Sequence, residues 1–264
     1  AIKRGNISQA DTAIKIERYK KLGANVQTHL LSGLPEESYE AQVNSIRKAF
    51  EFEFDDIQIF SIILLPGSEM ESAESRKKYK IKTKYRLRAG GYGKYNGITA
   101  IDCEEIIREN SAISENEMQR LRSIHWLIWF GWNHNFLKPL WKFAHKKFQV
   151  NPVDIVLFLS DINKVKIDEW KKLLKNFEKD SSSEWFDSRE DLAAYYEKSD
   201  FLEDKEFDHF LKAEFKYNAQ VLLNKSTFGA MIDLSIEAIK TLSTQKKDDN
   251  YWSNIKKCMI ETVC

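Results

Sequence analysis

Two apolar runs separated by one amphipathic segment constrain this chain more than anything else in it. Val26-Gln27-Thr28-His29-Leu30-Leu31 stops at Ser32-Gly33-Leu34-Pro35, and Ile57-Gln58-Ile59-Phe60-Ser61-Ile62-Ile63-Leu64-Leu65 stops at Pro66-Gly67. Runs of this length, bounded by turn residues, read as buried strands near 25–31 and 56–65. Between them Val43, Ile46, Ala49 and Phe50 recur at helical spacing, which predicts a helix over about 37–52. A helix between two strands is a crossover, so the strands pair in parallel. Both bends then leave the same edge of the sheet, where open α/β sheets and α/β barrels hold ligands. Gly33 lets the backbone turn or approach a ligand closely. Pro35 suits the first turn of the following helix, with Glu36, Glu37 and Ser38 opening it. Taken alone, that stretch reads more simply as an ordinary βα connection without a ligand.

The rest of the chain divides near residue 100. A helix over 8–22 starts at Ser8, with Asp11 three residues on, and ends at Gly23. Residues 68–79 are polar and helical. The segment 80–96 is basic, aromatic and glycine-containing, a strand or extended arm running into a loop at Gly90, Gly91 and Gly93. Its lysines and arginines, with Tyr85, Tyr92 and Tyr95, could grip a nucleic acid. An arm packing its tyrosines on its neighbour is the preferred reading, because the chain has no basic surplus. From the Ser114/Glu117 capping box onward the period is helical. A long aromatic-rich run reaches Phe148, with a kink expected near Pro139. More helices follow from Asn151-Pro152 and near 166–179, 188–198, 204–224, 227–244 and 250–261. Ser181-Ser182-Ser183 and Lys246 to Asn250 read as exposed connections.

With 41 basic and 40 acidic side chains in 264 residues, nothing draws the whole chain to nucleic acid or anionic membrane. Cys103, Cys258 and Cys264 have neither disulfide-framework nor metal-ligand spacing, which suits a reducing, cytoplasmic setting. No apolar run is long enough to span a bilayer, and the start at Ala1 reads as mid-element, as in a piece of a longer protein. His125, His134 and His145 are spaced nine and eleven apart, off any tight common face, and read as packing or surface residues. His29 reads as a satisfied core histidine, and Trp126, Trp129, Trp132 and Trp141 as core. Phosphate-loop, dinucleotide, nucleophile-elbow and zinc-helix motifs are missing from the sequence.

The order Lys3-Arg4-Gly5-Asn6, a helix, Ser32-Gly33-Leu34-Pro35-Glu36-Glu37-Ser38, then Ile63-Leu64-Leu65-Pro66-Gly67-Ser68-Glu69 resembles the second half of a radical S-adenosylmethionine core. It is most similar to the cobalamin-binding-domain-containing radical S-adenosylmethionine proteins, whose turns read Gly-Leu-Pro-Gly-Glu-Thr and Leu-Pro-Gly-Thr. The arm Thr83-Lys84-Tyr85-Arg86 and the segment Cys103 to Ile107 also resemble the region just after that core. The specific likeness covers residues 1 to about 125.

The resemblance implies an α/β fold: the C-terminal part of a partial (β/α)6 barrel over 1–100, followed by an all-helical domain over 101–264. It implies a 4Fe-4S cluster that cleaves S-adenosylmethionine to a 5′-deoxyadenosyl radical, or cobalamin-assisted methyl transfer. A small-molecule or other substrate and a reductant such as flavodoxin or ferredoxin come with it, and no membrane partner. It places Leu31, Ser32, Gly33, Pro35, Leu64, Leu65 and Pro66 against the cofactor, adds Arg4, and sets Glu36 and Glu37 in competition for one acidic contact. Glu36 stands where the family has a second glycine. The cluster's Cys-x-x-x-Cys-x-x-Cys loop and the cobalamin signature Asp-x-His-x-x-Gly are both missing. The expectation is therefore a fragment, inert alone, that contributes part of the cofactor wall and substrate-side helices. The alternative is a non-catalytic helical interaction module on an α/β scaffold.

Overall fold

The computed structural model describes residues 7–198 and 212–263. It opens with α1 (Gln9–Lys21), whose N-cap Ser8 accepts from the Asp11 amide; Gly23 adopts φ 76° just past its end. β1 (Gln27–Ser32), α2 (Tyr39–Glu51) and β2 (Asp56–Ser61) follow as a strand–helix–strand unit. The two strands pair in parallel, in register from Gln27 opposite Asp56 to Ser32 opposite Ser61. α2 buries the expected stripe of Val43, Ile46, Ala49 and Phe50. It starts later than the Pro35 expectation. Glu36 takes a left-handed φ of 68°, which a helix cannot continue through, and Ser38 caps the helix by accepting from the Ala41 amide.

After α3 (Ala73–Tyr79) the expected arm is a strand, β3 (Lys82–Tyr95), and it has a partner. β4 (Ile98–Glu109) runs back antiparallel to it in a long hairpin. The expected change to all-helical structure at 101 is thus corrected: helix begins only at α4 (Glu115–Ile128). The pairing answers the arm's charge. Lys82, Arg86 and Arg88 meet Glu109, Glu104 and Asp102 across the ladder, and Lys84 meets Glu115 and Asp187. Opposite charges on facing strands hold a register as well as any apolar pair. Tyr85 and Tyr92 pack around Leu192 and Tyr196 of α8 (Arg189–Lys198).

The two sheets meet just past β2. Ile63 bridges Ile106 antiparallel, the Leu64 amide donates to the Glu105 carbonyl at 2.8 Å, and the Ile107 amide to the Ile62 carbonyl at 3.1 Å. The fold is mixed α/β and mostly helical, with small sheets.

α4 carries the expected Ser114/Glu117 capping box and passes into a π-helical turn, Trp129–Asn133. The chain breaks there rather than kinking at Pro139, which instead lies in the first turn of α5 (Lys138–Phe148). Gly131 permits the turn: a Cβ there would come within 3.0 Å of the Trp141 ring. Asn133 accepts from the Ile57 amide at 3.0 Å and donates to the Ile57 carbonyl at 2.9 Å, clamping the start of β2. Arg47 on α2 forks onto Asp154 of α6 (Pro152–Leu159), both bonds 2.6 Å.

α7 (Asp168–Ser183) continues through the serine run expected to be a connection. Ser181 is buried, and its hydroxyl accepts from Gln119 Nε2 at 2.6 Å. α9 (Ala213–Leu223), α10 (Lys225–Leu242) and α11 (Asp249–Val263) complete the chain. One apolar core runs from Ile16 and Ile57 to Met231 and Met259, so the strand–helix–strand unit and the helices share an interior. Among the described residues no helix is long and apolar enough to cross a membrane.

Candidate functional site

The parallel strands bring the ends of the two apolar runs together as expected, but around a different set of side chains. A cavity of about 380 Å³ lies beside Ser32, Ser61 and Ile63 at the carboxyl ends of β1 and β2. Its wall follows from simple periods. Two-residue alternation along β4 points Glu104, Ile106 and Arg108 into it, and β3 adds Arg86. Helical spacing of four and three on α4 puts Met118, Arg122 and His125 on one face. Trp185, after α7, and Lys212 and Glu214, at the start of α9, close the remaining side.

The charges are unequally partnered. Arg122 donates to Glu214 through Nε (2.9 Å) and Nη2 (3.1 Å), to Glu184 at 2.6 Å, and to the Ser181 carbonyl at 2.7 Å. Burial opposes its charge, but the two carboxylates outweigh it and hold the guanidinium firmly protonated. Arg108, 3% exposed, has far less. Its Nη2 donates to Gln119 at 3.2 Å, and Glu115 stands 3.9 Å from its Nε. Burial, reinforced by Arg122 and Arg86, pulls its pKa down to about 10. Arg86, Arg108 and Arg122 surround the Trp185 ring, 5.0, 4.3 and 5.6 Å from its centroid, as guanidinium groups favour. Burial pushes His125 down to about 3, so its ring is neutral.

A second cavity, about 190 Å³, shares Ile59, His125, Lys212 and Glu214 with the first. Its other walls include Ile57, Trp126, Trp129 and Phe215. A charged chamber therefore adjoins an aromatic one.

Of the residues expected to touch a cofactor, Ser32 lines the main cavity. Gly33, at φ 91°, is packed by protein: a Cβ there would lie 3.2 Å from Met118 Cε, and Asn110 Nδ2 donates to the Gly33 and Leu34 carbonyls at 3.2 Å each. Pro35 is buried and Glu36 exposed. Glu37 is half-buried, and burial raises its pKa. The Gln42 amide, turned to suit its surroundings, donates to Glu37 at 2.9 Å and to the Leu31 carbonyl at 3.0 Å, so Glu37 helps to fasten the bend. Leu64 is buried under β4, while Leu31, Leu65 and Pro66 face outward. Arg4 and Cys264 lie outside the described residues.

His29 is not a core residue; it is exposed, edge-on to Phe60 at 5.3 Å. His125 is more than a packing residue, since it lines both cavities. Arg86, Glu104, Arg108, Arg122, Trp185, Lys212 and Glu214 were not singled out as site residues from sequence, apart from Arg86 as a possible phosphate contact. One signal that could have found them was a pair of polar residues, Arg122 and His125, three apart among the apolar positions Met118, Leu121, Ile124 and Trp126 of α4.

Among the described residues, no three His, Cys, Asp or Glu side chains gather as a metal site would need. The two described cysteines do not fit an iron–sulfur cluster: Cys103 sits half-buried on β4 and Cys258 exposed on α11. No protein-family model matches this chain, and no curated protein is significantly similar to it.

Proposed function

We propose that this chain forms the second half of a radical S-adenosylmethionine core, with β1 and β2 as two strands of a partial (β/α)6 barrel and the following helices on its substrate side. The carrying observation is the parallel register of β1 and β2, which brings the Ser32-Gly33 and Ser61-to-Pro66 bends to one end, beside a cavity. Exposed apolar side chains on the same unit add support. Ile14, Tyr19, Leu22, Leu31, Phe60 and Leu65 face outward, and among the described residues no strand pairs with the outer edge of β1. Such a face calls for cover, and the barrel's first strands would supply it. On this reading the cluster-holding cysteines come from those strands, any cobalamin site lies outside this chain, and the chain alone is inert. A reductant such as flavodoxin or ferredoxin would serve the whole enzyme in the cytoplasm.

A second reading, a non-catalytic helical module on an α/β scaffold, draws on the Gly33 bend itself. Met118, Ile107 and Asn110 already fill the space a nucleoside would take there. Reading the gene upstream and assaying iron and sulfide in the longest expressed protein, reconstituted without oxygen, separates the two. A three-cysteine loop and a bound cluster are expected. An upstream region lacking that loop, or a protein without iron, gives the module.

A further inference from the structure

Ser32 Oγ, Arg86 Nε, Arg108 Nε, His125 Nε2 and Trp185 Nε1 are buried and have no hydrogen-bond partner among the described residues. All five belong to residues lining the one main cavity. Three of these atoms are obligate N–H donors and a fourth is a hydroxyl. Charge alone does not explain them. The lining holds four cations, Arg86, Arg108, Arg122 and Lys212, against Glu104 and Glu214. Behind the wall Glu184 and Glu115 bring that count to balance. What remains over is donors, and a buried donor without an acceptor loses its hydration with nothing in return. Folded proteins satisfy nearly all such groups, so a cluster of exceptions around one cavity calls for a cause, and a ligand that accepts from them supplies one. The volume, about 380 Å³, suits a small molecule. The adjoining chamber, with Trp129 and Phe215, offers an apolar surface to whatever enters.

We propose that this cavity binds a small organic oxoanion, a carboxylate or a phosphate monoester. Its oxygens accept from Arg86, Arg108, Trp185 and Ser32, and its apolar body extends toward Trp129 and Phe215. Arg108 is the central anchor, because its side chain is the most buried of the cavity's cations and, among the described residues, donates only to the Gln119 amide oxygen. The inference rests on the cavity and not on the catalytic-core reading; its failure would leave the iron assay of that reading untouched.

The test is calorimetric titration of the 264-residue chain with phenylphosphate, with phenylacetate and with neutral benzyl alcohol. One or both anions should saturate a single site at millimolar concentration or below, and the tighter one identifies the headgroup. Benzyl alcohol should bind at least roughly tenfold more weakly than the better anion, the weight of one charge-assisted hydrogen bond. Arg108→Met should lose roughly tenfold or more in anion affinity while its unliganded stability stays at or above wild type. Should Arg108→Met fail to fold, Trp185→Phe, which keeps the ring and removes the donor, should still weaken the anion severalfold. Lack of saturable anion binding by the folded wild type overturns the proposal. So does affinity unchanged in either variant that folds, or benzyl alcohol binding as well as the anions.

Discussion

Replacing Arg122 by methionine tests whether the cavity's inner wall is held by charge pairing. The substitution keeps most of the stem's volume against Trp185 and removes the donors that serve Glu214, Glu184 and the Ser181 carbonyl. Removing one partner of a buried ion pair costs about 3–5 kcal/mol. Here the side chains of Glu214 and Glu184 keep 21% and 19% of their exposure, so some water reaches them. The lower end applies, about 3 kcal/mol, or a Tm lowered by roughly 6–12 °C for a chain of this size. The assay is urea unfolding followed by tryptophan fluorescence, repeated as the pH is lowered. In wild type, burial raises the pKa of Glu214 but Arg122 outweighs it and holds the carboxyl low. Without Arg122 the burial, the largest influence, meets only the weaker opposition of a backbone hydrogen bond and Arg86, so the folded variant takes up protons that the unfolded chain does not. Its deficit should therefore shrink between neutral pH and about pH 4.5. A loss below about 1 kcal/mol, or one that does not change with pH, refutes the pairing and leaves only stacking on Trp185.

His125 titrates near 6.5 when unfolded and near 3 when folded. The stability linked to its neutral ring is thus present in full above about 6.5 and lost as pH falls toward 3. His125→Gln should flatten the acid side of the stability profile by about 1–2 kcal/mol between pH 6.5 and about 5, and parallel urea profiles would contradict this. Gly131→Ala drives a methyl group into the buried Trp141 ring. It should cost about 1–3 kcal/mol despite alanine's better helix propensity, and a wild-type melting temperature would show that the π-turn relaxes freely. Asn110→Ala cuts the ties to the Gly33 and Leu34 carbonyls. It should cost about 1–3 kcal/mol and speed amide exchange around 33–37; unaltered exchange would mean that Met118 packing alone holds the bend.

The legible parts of the fold are those whose causes are local. The stripe on α2, the caps at Ser8 and Ser114 and the strand–helix–strand order lie within windows of a few residues. The parallel register of β1 and β2 follows from that order once the crossover is recognised. β4 escaped because Asp102, Cys103, Glu104 and Glu105 interrupt the apolar alternation that marks a strand. Their acidity makes sense only beside Arg88 and Arg86 across the hairpin and Arg76 on α3, partners that no short window contains. The site was lost with the strand, since Glu104, Ile106 and Arg108 share a face only if the period there is two. The serine run at 181 failed for a related reason. Exposed-loop composition was overridden by long-range hydrogen bonds, Ser181 receiving Gln119 and Arg122 from another helix.

Two of the three arginines in the cavity wall stand there for opposite physical reasons. Arg122 faces two carboxylates and a carbonyl, so its burial is compensated within the fold and its loss exposes uncompensated charge. Arg108 is at least as buried but is served by one amide oxygen and a carboxylate 3.9 Å away. Among the described residues nothing accepts from its Nε, so folding stability alone would favour an apolar side chain there. Methionine at 122 should therefore destabilise the empty protein, while methionine at 108 should not. If both substitutions destabilise alike, Arg108 is scaffold and its environment contains a partner that the geometry does not reveal. If they differ in sign, the wall holds a position whose residue is explained only by something that enters the cavity.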